Sequence, residues 1–245
     1  MIITVFMIVG GLPFVLYLQA VRGRPGALAR DSQVRWFLAI VLICIVVLGL
    51  WHYGASGAPL GQSYREVAFN VVSIITGTGY TSADYGQWGG FAAAMFFFLM
   101  FIGGCAGSTT CGIKVFRFQV LYATATAQLH RLVQPHVVFV PHFNKRPITE
   151  EIAGSVMGFF FLFAITFAAI ALALGAIGLD FITAVSGAAT AISNVGPALG
   201  DVIGPAGNFS TLPDAAKWVL SAGMLLGRLE LFTVLVLFTR RFWQV

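Results

Sequence analysis

The sequence predicts an all-α polytopic membrane protein, built from tandem helix–pore loop–helix units with re-entrant half-helices. Of its 245 residues, 58% are hydrophobic and 9% are charged, and the mean hydropathy is +0.89. A soluble domain carries roughly 25% charged residues, so the composition excludes that class. Apolar runs recur along the whole chain instead of forming one short N-terminal stretch, which excludes a secreted protein behind a signal peptide.

Five segments come close to the roughly 20 apolar residues that a membrane-spanning helix needs. They are 1–21, 36–53, 89–113, 152–175 and 215–239. The connections 22–35 and 114–151, together with the C-terminal tail, hold 11 of the 14 basic residues. Lys and Arg are enriched in cytoplasmic loops, so these parts are predicted to face the cytoplasm and the other connections to face outward.

Two further apolar segments, 63–80 and 180–197, are too short to cross and lie between outward-facing connections, so each is predicted to enter the membrane and return. A capping box at Ser63 and Glu66 predicts where the first half-helix begins, and Asp180 is the predicted N-cap of the second. Ser63 and Asp180 are 117 residues apart, and Gly79 and Gly196 have the same separation. This spacing predicts two copies of one unit.

An irregular segment follows each half-helix: the first glycine turn (76–80) and the second glycine turn (193–200). Irregular backbone at membrane depth must line water or be buried in protein, and glycine lets carbonyl groups turn toward an axis. Such carbonyls, with the negative ends of two helix dipoles, suit a dehydrated monovalent cation. Close helix packing is the alternative use of small residues, but the repeated spacing argues against it. The predicted filter residues are Gly77, Thr78, Gly79, Tyr80, Asn194, Val195, Gly196 and Pro197.

The glycine-rich loop (103–112) is predicted to interrupt the third span, because each glycine disfavours a helix by roughly 1 kcal/mol relative to alanine. A phosphate-binding loop is excluded, since Ile113 displaces Lys114 from the required position and no strand precedes it. The residues expected to form this break are Gly103, Gly104, Gly107, Ser108, Thr109, Thr110, Cys111 and Gly112.

Arg228 lies midway along the fifth span, where a charge costs about 2.5–3.5 kcal/mol. It is therefore predicted to face a water-filled cavity or a partner. Pairing with Glu230 is the alternative, although residues two apart do not share a helix face.

Enzyme chemistry has no candidate site in the sequence, because no Ser/His/Asp set, zinc-type His-Glu motif or paired intramembrane carboxylates occur. His130, His136 and His142 are spaced six residues apart in a cytoplasmic connection. They are predicted to be surface residues or contacts to a cytosolic regulator, with a metal site as the less favoured reading. No cofactor and no metal beyond K⁺ is expected.

Four motifs together resemble the Trk/Ktr/HKT superfamily of potassium transporters: Phe69–Tyr80, Gly103–Lys114, Ser193–Pro197 and Met224–Glu230. The resemblance implies a fold of four pore units around a central pore, of which this chain matches the last part. It implies that 1–21 is the closing transmembrane helix of a preceding unit, followed by a cytoplasmic linker (22–35). Pore units are then expected at 36–118 and 152–245, joined by a cytoplasmic connection (119–151).

The resemblance also implies potassium uptake across the bacterial inner membrane. The filter carbonyls would select the ion, the glycine-rich loop would gate the pore, and Arg228 would form a barrier to cations beneath the filter. Cys111 stands where the family commonly has glycine. A homodimer bound at its cytoplasmic face to a TrkA-like nucleotide-binding regulatory subunit is expected. The open alternatives are a truncated fragment without transport of its own and a secondary transporter with discontinuous helices.

Overall fold

The computed structural model describes residues 1–134, 139–144, 146–229, 236 and 240–243, and these residues are mainly helical. The α-helices are α1 (Ile2–Gly10), α2 (Phe14–Val21), α3 (Gly26–Arg30), α4 (Ser32–Ser56), α5 (Leu60–Ile75), α6 (Gly90–Leu99), α7 (Val115–Val133), α8 (Glu150–Ala176), α9 (Phe181–Ser193) and α10 (Asp214–Arg228). Short 3-10 helices occur at Tyr85–Trp88, Phe209–Thr211 and Arg240–Trp243. A two-stranded antiparallel hairpin joins β1 (His142–Phe143) to β2 (Arg146–Pro147).

α4 and α8 contain the predicted spans 36–53 and 152–175. Asp31 caps α4 by accepting hydrogen bonds from the backbone N–H groups of Gln33 (2.8 Å) and Val34 (3.3 Å), and Thr149 caps α8. With 25 and 27 residues, they are the two described helices that are long and apolar enough to cross a membrane by themselves.

The predicted span at 1–21 is not one continuous helix, because the chain bends by 99° between α1 and α2. Pro13 at the bend has no N–H to continue the helical ladder, and the two glycines before it weaken the last turn of α1. We call residues 10–14 the elbow.

The third span is interrupted where the glycine-rich loop lies, between α6 and α7. The predicted cytoplasmic connection at 119–151 begins as helix, since α7 continues without a break to Val133. The stretch 115–133 contains neither glycine nor proline, so nothing in it ends the helix before Pro135.

The two half-helices are α5 and α9. Asp180 caps α9 as predicted, accepting a hydrogen bond from the backbone N–H of Thr183 at 3.1 Å. The predicted capping box at Ser63 is wrong, because α5 begins one turn earlier, directly after Pro59. Ser63 therefore lies inside the helix, buried, and its hydroxyl has no hydrogen-bond partner among the described residues.

Each half-helix packs into a core of its own unit. α5 packs on α4 around buried Phe37, Leu48 and Val71. α9 packs between α8 and α10 around Leu174 and Leu220. Val195 and Leu199 of the second glycine turn belong to the first core, so the two units meet where their glycine turns lie.

Candidate functional site

The two glycine turns share one backbone pattern. Gly77 and Gly79 have φ angles of 65° and 77°, and Asn194 and Gly196 have φ angles of 52° and 118°. All four lie in the left-handed region, which glycine adopts freely and asparagine tolerates better than most residues. The left-handed residues alternate with an ordinary one in both turns, at the spacing of 117 residues.

The hydrogen bonds that close the turns repeat at the same spacing. Each turn folds back onto its own half-helix, and two of the backbone–backbone hydrogen bonds that do this are the same in both turns. The four bonds are Gly77 N to Ile74 O (3.1 Å), Thr78 N to Ser73 O (2.9 Å), Asn194 N to Ala191 O (3.1 Å) and Val195 N to Thr190 O (3.1 Å). The donors and acceptors of these four bonds correspond one to one, so the two turns are structurally equivalent. The half-helices before them do not begin at equivalent positions.

The turns lie side by side in the molecule. A Cβ atom added at Gly79 would overlap the carbonyl oxygen of Val195, and one added at Gly196 would lie 3.4 Å from the Cα atom of Gly79. One added at Gly77 would lie 3.3 Å from the carbonyl oxygen of Asn194. Only glycine permits this approach at Gly79.

The other predicted filter residues differ in exposure. Thr78 and Tyr80 are exposed, Pro197 is half-buried and Val195 is buried. The structure thus brings all eight residues into one region, with backbone rather than side chains at the closest contacts.

Two polar side chains of the half-helices bind backbone groups farther along the chain than the left-handed residues. The Asn70 amide oxygen accepts a hydrogen bond from the backbone N–H of Ser82 at 3.1 Å. The Ser186 hydroxyl accepts one from the backbone N–H of Leu199, also at 3.1 Å. Neither residue was predicted from the sequence. Both are polar residues on largely apolar half-helices, which is the signal that points to them, although other polar residues of these helices are buried as well.

The glycine-rich loop folds back on itself. The backbone N–H of Gly103 donates to the carbonyl of Ile113 at 2.9 Å, and the N–H of Ile113 donates to the carbonyl of Phe101 at 3.0 Å. Inside the loop the Thr110 hydroxyl accepts a hydrogen bond from the N–H of Gly104 at 3.0 Å. Gly107 and Gly112 have φ angles of 75° and 71°. The loop is therefore an ordered structure with its own hydrogen bonds.

The loop and Arg228 line one cavity of about 250 Å³. The Arg228 guanidinium donates a hydrogen bond to the thiol sulfur of Cys111. The loop also reaches the first glycine turn, since a Cβ at Gly77 would lie 3.8 Å from the backbone nitrogen of Cys111. The residues that line the cavity are Ser108, Thr109, Thr110, Cys111, Gly112, Lys114, Arg117, Phe159, Phe163, Ile192, Gly227 and Arg228.

Basic side chains gather on one side of the loop. Lys114 donates to the backbone carbonyl of Thr110 and to its hydroxyl at 3.1 Å, and the Arg117 guanidinium lies 3.7 Å from the centre of the Phe159 ring. Carbonyl groups at the glycine turns attract a cation, whereas these guanidinium and ammonium groups repel it. Cys111 of the loop lies against both Arg228 and the first glycine turn.

Arg228 is the last residue of α10. Glu230, the alternative partner, lies outside the described residues, as does most of the predicted span beyond Leu229.

The described histidines do not gather. His130 stacks on Phe139 and the ring nitrogen Nδ1 of His142 contacts the carbonyl of Val140, while His136 lies outside the described residues. Within the described ranges no three His, Cys, Asp or Glu residues are grouped as metal ligands would be.

Fold and composition together define an all-α membrane protein with re-entrant half-helices. A family profile described as "TrkH: Cation transport protein" matches residues 1–244. The chain belongs to this family, and the resemblance seen in the four motifs is confirmed.

Relatives of known name agree with this assignment. The chain is 52% identical over 241 residues to the "Trk system potassium uptake protein TrkI" of Halomonas elongata, covering 98% of this chain and 49% of that protein. It is 37% identical over 246 residues to TrkH of Escherichia coli K12, covering 99% of this chain and 50% of that protein.

A solved structure of the family has the same fold. The crystal structure of the potassium transporter TrkH from Vibrio parahaemolyticus superimposes with a TM-score of 0.91 at 34% identity. The match covers 98% of this chain and 52% of that one. The chain therefore spans about half the length of the relatives it matches.

Proposed function

We propose that this chain supplies two of the filter segments of a potassium-uptake protein. The observation that carries the proposal is the pair of glycine turns, equivalent in φ pattern and hydrogen bonding and in contact with each other. Relatives that share 37–52% of its residues are named potassium uptake proteins, which supports K⁺ as the ion.

In this mechanism the backbone carbonyls of 77–80 and 194–197 replace part of the hydration shell of K⁺. Since the alternation of left-handed residues is a backbone property, selectivity depends on glycine at Gly79 and Gly196 more than on any side chain. The glycine-rich loop lies between the turns and Arg228, so it acts as the gate, and the Arg228 charge opposes cation passage beneath the filter.

Two filter segments do not encircle an ion, so the pathway needs further segments, which come from the rest of a longer polypeptide, from a second copy or from a partner half. A homodimer with a TrkA-like nucleotide-binding subunit at the cytoplasmic face, in a bacterial inner membrane, completes the proposal. The transported ion is its only bound ligand, and it performs no enzymatic reaction. A secondary transporter is less well supported, because that class predicts repeats with inverted orientation in the membrane. The two repeats of this chain are predicted to have the same orientation.

The experiment is Rb⁺ uptake by cells that lack their own potassium-uptake systems and express the chain or its Gly79→Ser variant. The matched control is Gly57→Ser, because Gly57 has a φ of 64° and open space around its Cβ position. Membrane insertion of all three is checked by fractionation.

We expect uptake with the unmodified chain and with Gly57→Ser, and loss with Gly79→Ser. Equal uptake by both variants would overturn the filter assignment. A well-inserted chain without uptake would mean that it is a fragment and that it needs a partner half.

A further inference from the structure

The tip of the glycine-rich loop is bonded to the elbow between α1 and α2. Four hydrogen bonds join the two segments. They are Thr109 Oγ1 to Gly10 O (3.1 Å), Thr109 N to Gly10 O (3.4 Å), Cys105 N to Gly11 O (3.0 Å) and Phe14 N to Gly107 O (3.0 Å). The elbow thus contacts the loop both as acceptor and as donor.

The 99° bend is what makes these groups available. The last carbonyls of a helix and the first N–H groups of the next one have no partner within their own helices. At the elbow the carbonyls of Gly10 and Gly11 end α1 and the N–H of Phe14 begins α2. A continuous helix at 1–21 would satisfy these groups internally and leave the loop without them.

The fit between the two segments is close. A Cβ added at Gly104 would lie 2.8 Å from the carbonyl oxygen of Gly11. The backbone N–H of Ala106 donates to the side-chain amide oxygen of Gln33 at 2.9 Å, which fixes the tip from a third side. Three segments of the chain therefore meet at the loop tip.

The loop is held at two separate places. The elbow holds its tip, and Arg228 contacts Cys111 on the side that lines the cavity. Three of the four hydrogen bonds to the elbow join backbone groups, and the fourth is donated by the Thr109 side chain. A substitution at Thr109 therefore removes this bond without changing the backbone.

We propose that Thr109 and the elbow form a latch that holds the glycine-rich loop in its closed position, with Thr109 as a positioning residue. Because Phe14 is both a latch donor and the first residue of α2, movement of α2 and of the basic segment after it would release the loop. The effect on loop position follows from the contacts alone, whereas an effect on ion flux rests on the proposed function.

The first test measures how fast N-ethylmaleimide modifies Cys111 in the purified chain, read from the mass of the peptide that contains it. Cys44 and Cys105 are buried, whereas Cys111 is partly exposed in the cavity. Loss of one net hydrogen bond changes an equilibrium by about 2- to 10-fold. We expect Thr109→Val to raise the Cys111 rate by that factor and Thr109→Ser to keep the wild-type rate.

The matched control is Thr126→Val. Thr126 is a half-buried threonine on α7, outside the loop, whose hydroxyl donates to the carbonyl of Tyr122 at 2.8 Å. It should leave the Cys111 rate unchanged. A Cys111 rate in Thr109→Val equal to that of the wild type and of Thr126→Val would overturn the latch.

The second test locks the latch with a disulfide between Gly10→Cys and Thr109→Cys. A Cβ at Gly10 would lie 3.5 Å from the Thr109 hydroxyl oxygen, so side chains at the two positions contact each other. We expect oxidation to form the bond, to slow Cys111 modification and to lower Rb⁺ uptake, and reductant to reverse all three. Each single-cysteine variant controls for bonding to a native cysteine.

The readouts separate the latch from the transport proposal. A disulfide that forms without changing the Cys111 rate or the uptake would overturn the latch. A slowed Cys111 rate in a chain that takes up no Rb⁺, alone or with a partner half, would support the latch and contradict the proposed function.

Discussion

Alanine substitution at two helical glycines should change stability in opposite directions. At Gly227 on α10, an added Cβ would overlap the carbonyl oxygen of Ile192 and would lie 2.9 Å from the side-chain nitrogen of Asn194. That nitrogen donates to the carbonyl of Met224 at 2.9 Å, a bond that ties the second glycine turn to α10. At Gly154 on α8, nothing lies within 4 Å of the added atom.

The magnitudes follow from these contacts. Overpacking costs about 1–3 kcal/mol and loss of the Asn194 bond about 0.5–1.5 kcal/mol, while alanine gains about 1 kcal/mol over glycine in a helix. Gly227→Ala should therefore destabilise by about 0.5–3.5 kcal/mol, and Gly154→Ala should stabilise by about 0.5–1 kcal/mol.

The assay is thermal unfolding of the purified chain in one detergent. With roughly 2–4 °C per kcal/mol for a protein of this size, Gly227→Ala should lower the Tm by at least about 1 °C and Gly154→Ala should raise it. A rise in Tm for both variants would refute the close approach of α10 to the end of α9.

Three further outcomes are expected. Asp180→Ala should destabilise by about 0.5–2 kcal/mol through loss of the α9 cap, and Asp180→Asn should restore most of this in thermal unfolding. Hydrogen bonds from Thr183 lower the pKa of the Asp180 carboxyl. The stability that the carboxylate contributes is therefore complete above the pKa of the unfolded carboxyl and is lost as the pH falls through the lower folded value. If the Tm of Asp180→Asn fell with acid as much as that of the wild type, this assignment would be contradicted. Ser186→Ala should cost about 1–3 kcal/mol, because the backbone N–H that its hydroxyl accepts from stays buried, and an unchanged Tm would show that the bond is not needed. Arg228→Gln should raise Rb⁺ uptake severalfold in the cell assay while Arg65→Gln, an exposed substitution near the start of α5, should not; equal uptake in both would remove Arg228 as a barrier.

The sequence predicted those parts of the fold that depend on local pattern. The apolar length of 36–53 and 152–175 identified α4 and α8, and the acidic cap at Asp180 marked the start of α9. The glycines at 79 and 196 marked the turns, because left-handed backbone is a local property.

The errors arose where one local signal overrode another. Ser63 and Glu66 fit a capping box, but Pro59 starts the helix a turn earlier. Pro13 should have indicated the elbow, yet the apolar length of 1–21 outweighed it. The proximity of Cys111 to Arg228 depends on how α10 packs against the loop, and no spacing rule predicts such a contact between segments.

If the paired glycine turns select the ion, a substitution in one of them changes how well K⁺ and Na⁺ compete with Rb⁺. The quantity to measure is the ratio of the K⁺ and Na⁺ concentrations that inhibit Rb⁺ uptake by half. The ratio is compared in the active protein, alone or with its partner half, and in its Gly196→Ser and Gly178→Ser variants, since Gly178 also has a positive φ, 101°, but open space around it. Our account predicts that Gly196→Ser loses the preference for K⁺ and that Gly178→Ser keeps it. An active Gly196→Ser protein with an unchanged preference would contradict it.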